Sequence, residues 1–103
     1  MLKIVSLLKR KEGMSLDEFR AWATQEHPAL GKQLAGLREY RMSVVREDNP
    51  DLPFDAASEL WFDSKEARDA AFDSDLGRRV VADALAHCSA RVHLLTDETI
   101  LLP

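Results

Sequence analysis

The hydrophobic period of this chain switches between two and 3.6 residues in one order, and that order leaves few folds open. Leu2 to Lys9 is short and rich in branched apolar residues, which predicts a strand. Gly13 turns the chain, and Ser15-Leu16-Asp17-Glu18 forms a capping box in which hydroxyl and carboxylate satisfy the first helical amides. Leu16, Phe19, Ala23, Leu30 and Leu34 then recur at helical spacing, and His27 falls on the same stripe. Pro28 disfavours helix at His27 itself. The pattern therefore predicts one helix to about Glu26, a kink, and a short helical continuation to Leu34 that Gly36 ends. Arg38 to Arg46 alternates as a second strand, with Tyr40, Met42 and Val44 on one face. Glu47 to Asp55, rich in Pro, Asn and acids, is an exposed loop, and Ala56 to Phe62 is strand three. Ser64 caps a helix from Lys65 to about Phe72, and a second helical piece runs from Asp75 to about His87. Ala90 to Leu95 is strand four, with Thr99 to Leu102 as its extension.

That order, β-α-β-β-α-β, is an α+β arrangement, the ferredoxin-like split βαβ with a four-stranded antiparallel sheet. With 103 residues the chain is a single domain, 1–103, with one modest core. The pleat carries a further consequence. Ile4 and Leu8 lie on one side of strand one, Val5 and Leu7 on the other. Leu60 and Phe62 oppose Ala57 and Trp61, while Val92 and Leu94 oppose Leu95. Both faces of the sheet are apolar, and two helices cover only one of them. A second copy of the chain is expected on the other, giving a homodimer built as a dimeric α/β barrel.

Charge and composition exclude several partners. Fourteen Lys and Arg are interspersed with 18 Asp and Glu, a net −4 that offers no nucleic-acid footprint or polybasic membrane patch. Strand three, Ala-Ser-Glu-Leu-Trp-Phe, lacks the basic, Gly-interleaved aromatics with which RNA-recognition domains of this topology stack bases. No apolar run approaches the roughly 20 residues of a membrane span. The first apolar run, broken by Lys3 and Ser6, does not read as a signal peptide, and a single cysteine, Cys88, fits a reducing compartment. A cytoplasmic location is the expectation. Only four glycines are present, in no Gly-x-Gly-x-x-Gly or Walker-type loop, so no nucleotide cofactor is expected. His87, Cys88 and His93 lack a metal-ligand spacing, so no metal is expected either.

The chemistry-bearing residues cluster around the first helix and the strand after it. His27 on the apolar stripe is either a satisfied core histidine or a general acid or base, since imidazole titrates near neutrality. Tyr40, the only tyrosine, is either a half-buried strand aromatic or a donor to a substrate carbonyl. Their convergence depends on which sheet face Tyr40 takes. Glu59 is a carboxylate between apolar neighbours and needs a partner, such as Arg38 or Arg41, unless it acts on substrate. Trp22 and Trp61 either pack the core or wall a planar ligand.

The element order, Phe19…Trp22…His27-Pro28, Gly36-Leu37…Tyr40 and the run Glu59-Leu60-Trp61-Phe62-Asp63-Ser64 together resemble the EthD family of the dimeric α/β-barrel superfamily, and especially its muconolactone methylisomerases. The resemblance runs from Lys3 to about Leu95. It implies a small homodimer without a bound organic cofactor, tied to catabolic or polyketide metabolism. It further implies that His27 and Tyr40 line a pocket between helices and sheet. The late-helix acid of the family is matched by Asp83, with His87 where an aromatic usually follows. The methylisomerase cysteines have no counterpart, as Cys88 falls near the end of the second helical region. The expected function is cofactor-independent proton transfer (isomerase, cyclase or dehydratase) on a small cyclic or aromatic carbonyl compound. His27 and Tyr40 would be catalytic, Trp22, Glu59 and Trp61 substrate-binding, and the loop 47–55 a lid. The alternatives are a cofactor-free monooxygenase and a non-catalytic small-molecule-binding protein.

Overall fold

A computed structural model describes residues 1–103. The elements run β1 (Leu2–Arg10), α1 (Leu16–Ala21), a π-helical turn (Trp22–Glu26), α2 (His27–Gly31), β2 (Glu39–Val44), β3 (Ala56–Phe62), α3 (Lys65–Asp73), α4 (Asp75–His87) and β4 (Cys88–Asp97). All strand pairs are antiparallel in the order β2-β3-β1-β4, which is the ferredoxin-like α+β fold. Both limbs of the Ser15 capping box are present, and Ser64 and Ser74 cap α3 and α4. The C-terminal strand departs from expectation at both ends. β4 begins at Cys88, two residues before Ala90, and no strand follows Asp97, so Thr99–Leu102 is no extension.

The first helix also departs from expectation. His27 is helical (φ −61°, ψ −44°), and the chain reaches it through one wide turn in which His27 N–H bonds the Trp22 carbonyl. Pro28 has no N–H to give and its ring would clash with the carbonyl four residues back. An inserted π turn absorbs that misfit without breaking the rod, and such turns recur at functional sites.

Registry places one row of small polar side chains across the helix-covered face. Met42 pairs with Ser58, Ser58 with Ser6, and Ser6 with His93. Flanking rows are mostly apolar: Tyr40, Leu60, Ile4 and Leu95 on one side, Val44, Ala56, Leu8 and Arg91 on the other. The buried core divides accordingly. Ile4, Leu34, Leu60, Phe62, Ala71 and Val80 form one cluster, and Leu8, Phe19, Trp22, Ala23, Ala56 and Ala84 the other. Between them lies a cavity.

On the opposite face Trp61 is only 6% exposed although no helix covers it. Lys3 and Arg41 lie over its ring, 4.9 and 5.2 Å from the centroid. Val92 and Leu94 beside them stay open, Leu94 at 46% exposure.

Candidate active site

The cavity between the two clusters has about 40 Å³ open to the centres of water-sized spheres. That is room for roughly three waters. His27 and Tyr40 both line it, so the sheet face left open by the sequence is the helix-covered one. Gly31 makes this possible. A Cβ there would stand 3.0 Å from Tyr40 Cε2 and 3.5 Å from its hydroxyl oxygen, so only glycine lets the phenol lie against α2.

His27 is 7% exposed and held from two sides. Its Nδ1–H donates to Asp83 Oδ2 at 2.7 Å, and the same oxygen accepts Trp22 Nε1–H at 3.1 Å. A carboxylate on Nδ1 puts the neutral ring's lone pair on Nε2, which makes no hydrogen bond within the protein. Trp22 is wedged between two imidazoles, its ring centre 4.7 Å from that of His27 and 4.8 Å from that of His87. His87 in turn donates Nδ1–H to the Asp83 carbonyl at 2.7 Å. These contacts leave the His27 ring one orientation. Burial, and then the neighbouring Asp83 carboxylate, push the Tyr40 phenol up to about 12, so it stays protonated and donates.

Trp22 stands behind His27 and does not face the cavity. Glu59 and Trp61 are not brought to this site at all, because the pleat turns them to the opposite face of β3. The partner of Glu59 is Lys3, at 2.6 Å, and neither of the expected arginines. Arg38 pairs with Asp63 and Arg41 lies near Glu39. The loop 47–55 contributes nothing to the cavity wall and is anchored at the end of β1, where Arg10 N–H donates to buried Asp55 and Asp55 N–H donates to the Leu8 carbonyl. It is not a lid over this cavity.

The sequence reading missed Asp83 as the partner of His27, and missed Ser6, Ser58, Arg91 and His93 on the cavity wall. A serine at the centre of an apolar strand was the available signal for the two hydroxyls. His93 accepts from Arg68 Nη2 at 3.1 Å and lies 2.7 Å from Ser6 Oγ. Burial first, then Arg91 and Arg68, hold its pKa down to about 4. Cys88 is half-buried, and desolvation pushes its thiol up to about 11, so it is no ready nucleophile.

Solved structures share this architecture. An ethyl tert-butyl ether degradation (EthD) family protein from Bacillus halodurans superposes with a TM-score of 0.81 at 20% identity, over 96% of this chain and 99% of that one. SnoaB from Streptomyces nogalater, a cofactor-independent oxygenase, gives 0.72 at 15% identity over 99% and 96%. A dimeric ferredoxin-like protein of unknown function from Thermobifida fusca gives 0.67 at 16% identity over 92% and 88%. Comparison with curated proteins finds no match. The EthD domain model matches residues 11–87, which include His27, Tyr40 and Asp83. The chain belongs to the EthD family.

Proposed function

We propose that this protein is an enzyme that moves a proton next to a carbonyl group of a small molecule, with His27 as base and Tyr40 as donor to the carbonyl oxygen. The observation that carries this reading is His27, held by Asp83 from behind, on the wall of a cavity that Tyr40 also lines. Asp83 fixes the tautomer and supports the imidazolium formed when Nε2 takes a proton. The substrate C–H bond breaks, and its electron pair moves toward the carbonyl oxygen, where the Tyr40 O–H meets the developing charge. Returning the proton to another carbon is an isomerisation, expelling a β-hydroxyl is a dehydration, and attack on a second carbonyl is a cyclisation. No step draws electrons from outside. A second reading, cofactor-free oxygenation, is supported by the likeness in fold to SnoaB, since the same carbanion is a species able to reduce dioxygen.

The active unit is a pair of chains. What supports this is the open apolar stretch of Val5, Leu7, Val92 and Leu94 on the uncovered face, together with dimeric relatives of the same fold. A Leu94→Glu variant that still sediments as a dimer would argue against this face.

The test is α-proton exchange in deuterium oxide across a panel of small cyclic and aromatic ketones and lactones, followed by NMR. Exchange above buffer that disappears in His27→Gln supports the assignment. Exchange that survives the substitution refutes it. Binding without exchange by the wild type leaves a carrier.

A further inference from the structure

The cavity wall holds one permanent charge, and it is not at the His27 end. Of the fifteen residues that line the cavity, none is Asp or Glu, and Arg91 on β4 is the only Lys or Arg. Arg91 forms no ion pair, although nine other cationic side chains, Arg68 and Arg78 among them, are matched by carboxylates or backbone carbonyls. Its one polar neighbour is His93 Nδ1, at 3.3 Å.

That neighbour cannot serve it. A neutral imidazole offers one lone pair and one N–H. Arg68 Nη2 lies 3.1 Å from His93 Nε2 and Arg91 Nη2 lies 3.3 Å from Nδ1, so two guanidinium groups face a ring able to accept from one. With the shorter contact made, the proton sits on Nδ1 and is donated to Ser6 Oγ at 2.7 Å. Arg91 then has no acceptor. With the other tautomer, Arg68 is the one left short, and its Nε is already buried without a partner. Either way, two positive charges converge on one end of an apolar cavity with fewer acceptors than donors.

We propose that Arg91, with His93 and Ser6 beside it, is the carboxylate-binding end of the cavity, so that the ligand is a small keto acid carrying its anionic group toward β4 and its carbonyl toward Tyr40 and His27. This rests on the reading of that cavity as a substrate site and names the substrate class. The strand order supports the polarity. Tyr40 on β2 and Arg91 on β4 stand at opposite edges of the sheet, three strand spacings across and four residues along, roughly 20 Å apart at the backbone, with long side chains reaching inward from both. A planar carboxylate matches the guanidinium fork, and the serine hydroxyl, which accepts from His93, has its own O–H to give.

The experiment uses 4-oxopentanoate and its uncharged amide as probes. Each is titrated into the full chain, while the ring protons of the three histidines and the α-protons of the probe are followed by NMR. The keto acid should bind roughly tenfold more tightly than the amide, the advantage of about one charge-assisted hydrogen bond, and should move the His93 ring resonances. Arg91→Gln should reduce that preference to within about threefold, while Arg91→Lys, which keeps the charge and loses the fork, should retain part of it. Melting temperatures of both variants near that of the wild type establish that they are folded. Equal affinity for acid and amide, no binding of the acid, or a preference that survives Arg91→Gln would overturn the proposal. Exchange of the α-protons is read separately. An acid preference without exchange leaves the carboxylate site standing and removes the base, whereas exchange of the amide without any preference does the reverse.

Discussion

Removing the carboxylate of Asp83 is the sharpest test of how the histidine is held. In Asp83→Ala two buried donors, His27 Nδ1–H and Trp22 Nε1–H, lose their common acceptor. An unsatisfied buried donor costs about 1–3 kcal/mol. The carboxylate is 29% exposed, so water reaches part of the vacated space and the sum falls below twice the upper figure. Alanine also returns about 0.5 kcal/mol of helix propensity inside α4. A net loss of about 2–3 kcal/mol remains, equivalent to a melting temperature lower by about 10–20 °C for a chain of this size.

Asp83→Asn separates charge from shape. Its amide oxygen occupies the place of Oδ2 and still accepts from both donors, so only the charge assistance is lost, about 1 kcal/mol per bond. The stability order wild type, Asn, Ala, measured by thermal and urea unfolding at one protein concentration, is the expected result. Catalysis should order differently. Asparagine leaves the imidazolium unsupported, so α-proton exchange should fall by about 10²-fold or more in both variants. If Asp83→Ala melts with the wild type, the pair does not hold His27, and the positioning argument fails with it.

Gly77→Ala should destabilise despite its better helix propensity. A Cβ there would fall inside contact distance of the Ala71 carbonyl oxygen and 2.5 Å from Phe72 Cα, both backbone, so overpacking of about 1–3 kcal/mol outweighs the gain, and calorimetry should show a lower melting temperature. Acid unfolding should carry the signature of His93. Its pKa is held down to about 4 in the fold against 6.5 when free, so stability is full above pH 6.5 and is lost as pH falls from there to about 4. Discounted for partial exposure, the loss is about 1–2 kcal/mol, and His93→Gln should flatten that limb of the pH–stability curve. Tyr40→Phe should melt close to the wild type yet slow α-proton exchange about 10²-fold, by loss of the donor to the developing oxyanion. Ser58→Val should do the opposite. It fills cavity space and removes a buried hydroxyl that makes no side-chain hydrogen bond, so melting temperature rises by about 4–8 °C while binding of 4-oxopentanoate is lost.

The elements were readable because each is announced by local chemistry. Ser15, Ser64 and Ser74 cap the helices they precede, and Ala56–Phe62 and Asp75–His87 begin and end where their hydrophobic periods do. The parity of each strand was equally legible, since one residue of slip would exchange the faces. What could not be read was decided by groups far apart in the chain. Asp83 lies 56 residues from His27, and neither position carries a local pattern that names the other. Glu59 found Lys3 and not an arginine because β1 and β3 are adjacent and the antiparallel register sets Lys3 opposite Trp61, one diagonal step away. Trp61 reads as a pocket wall from composition alone. Its place on the uncovered face follows from alternation with Leu60 and Phe62, and the same pleat that predicts an apolar outer face removes it from the site.

The row Met42, Ser58, Ser6 and His93 explains why a domain this small has a cavity at all. Middle positions of central strands under a helical layer are where a core is normally densest. Serine there forfeits the burial of a larger apolar side chain, about 1.5–3 kcal/mol at each of two positions. Both serines lie on neighbouring strands and pair directly, so their deficits coincide in space and open one void instead of two gaps. In the opposite layer the π turn carries the helix on through His27 and Pro28 without a break, and the imidazole lines the void that the serines leave. Stability is recovered on either side, in the two apolar clusters. The sheet therefore supplies the hydroxyls and the guanidinium, and the helices supply the imidazole and its carboxylate, with the space between them set by two small side chains.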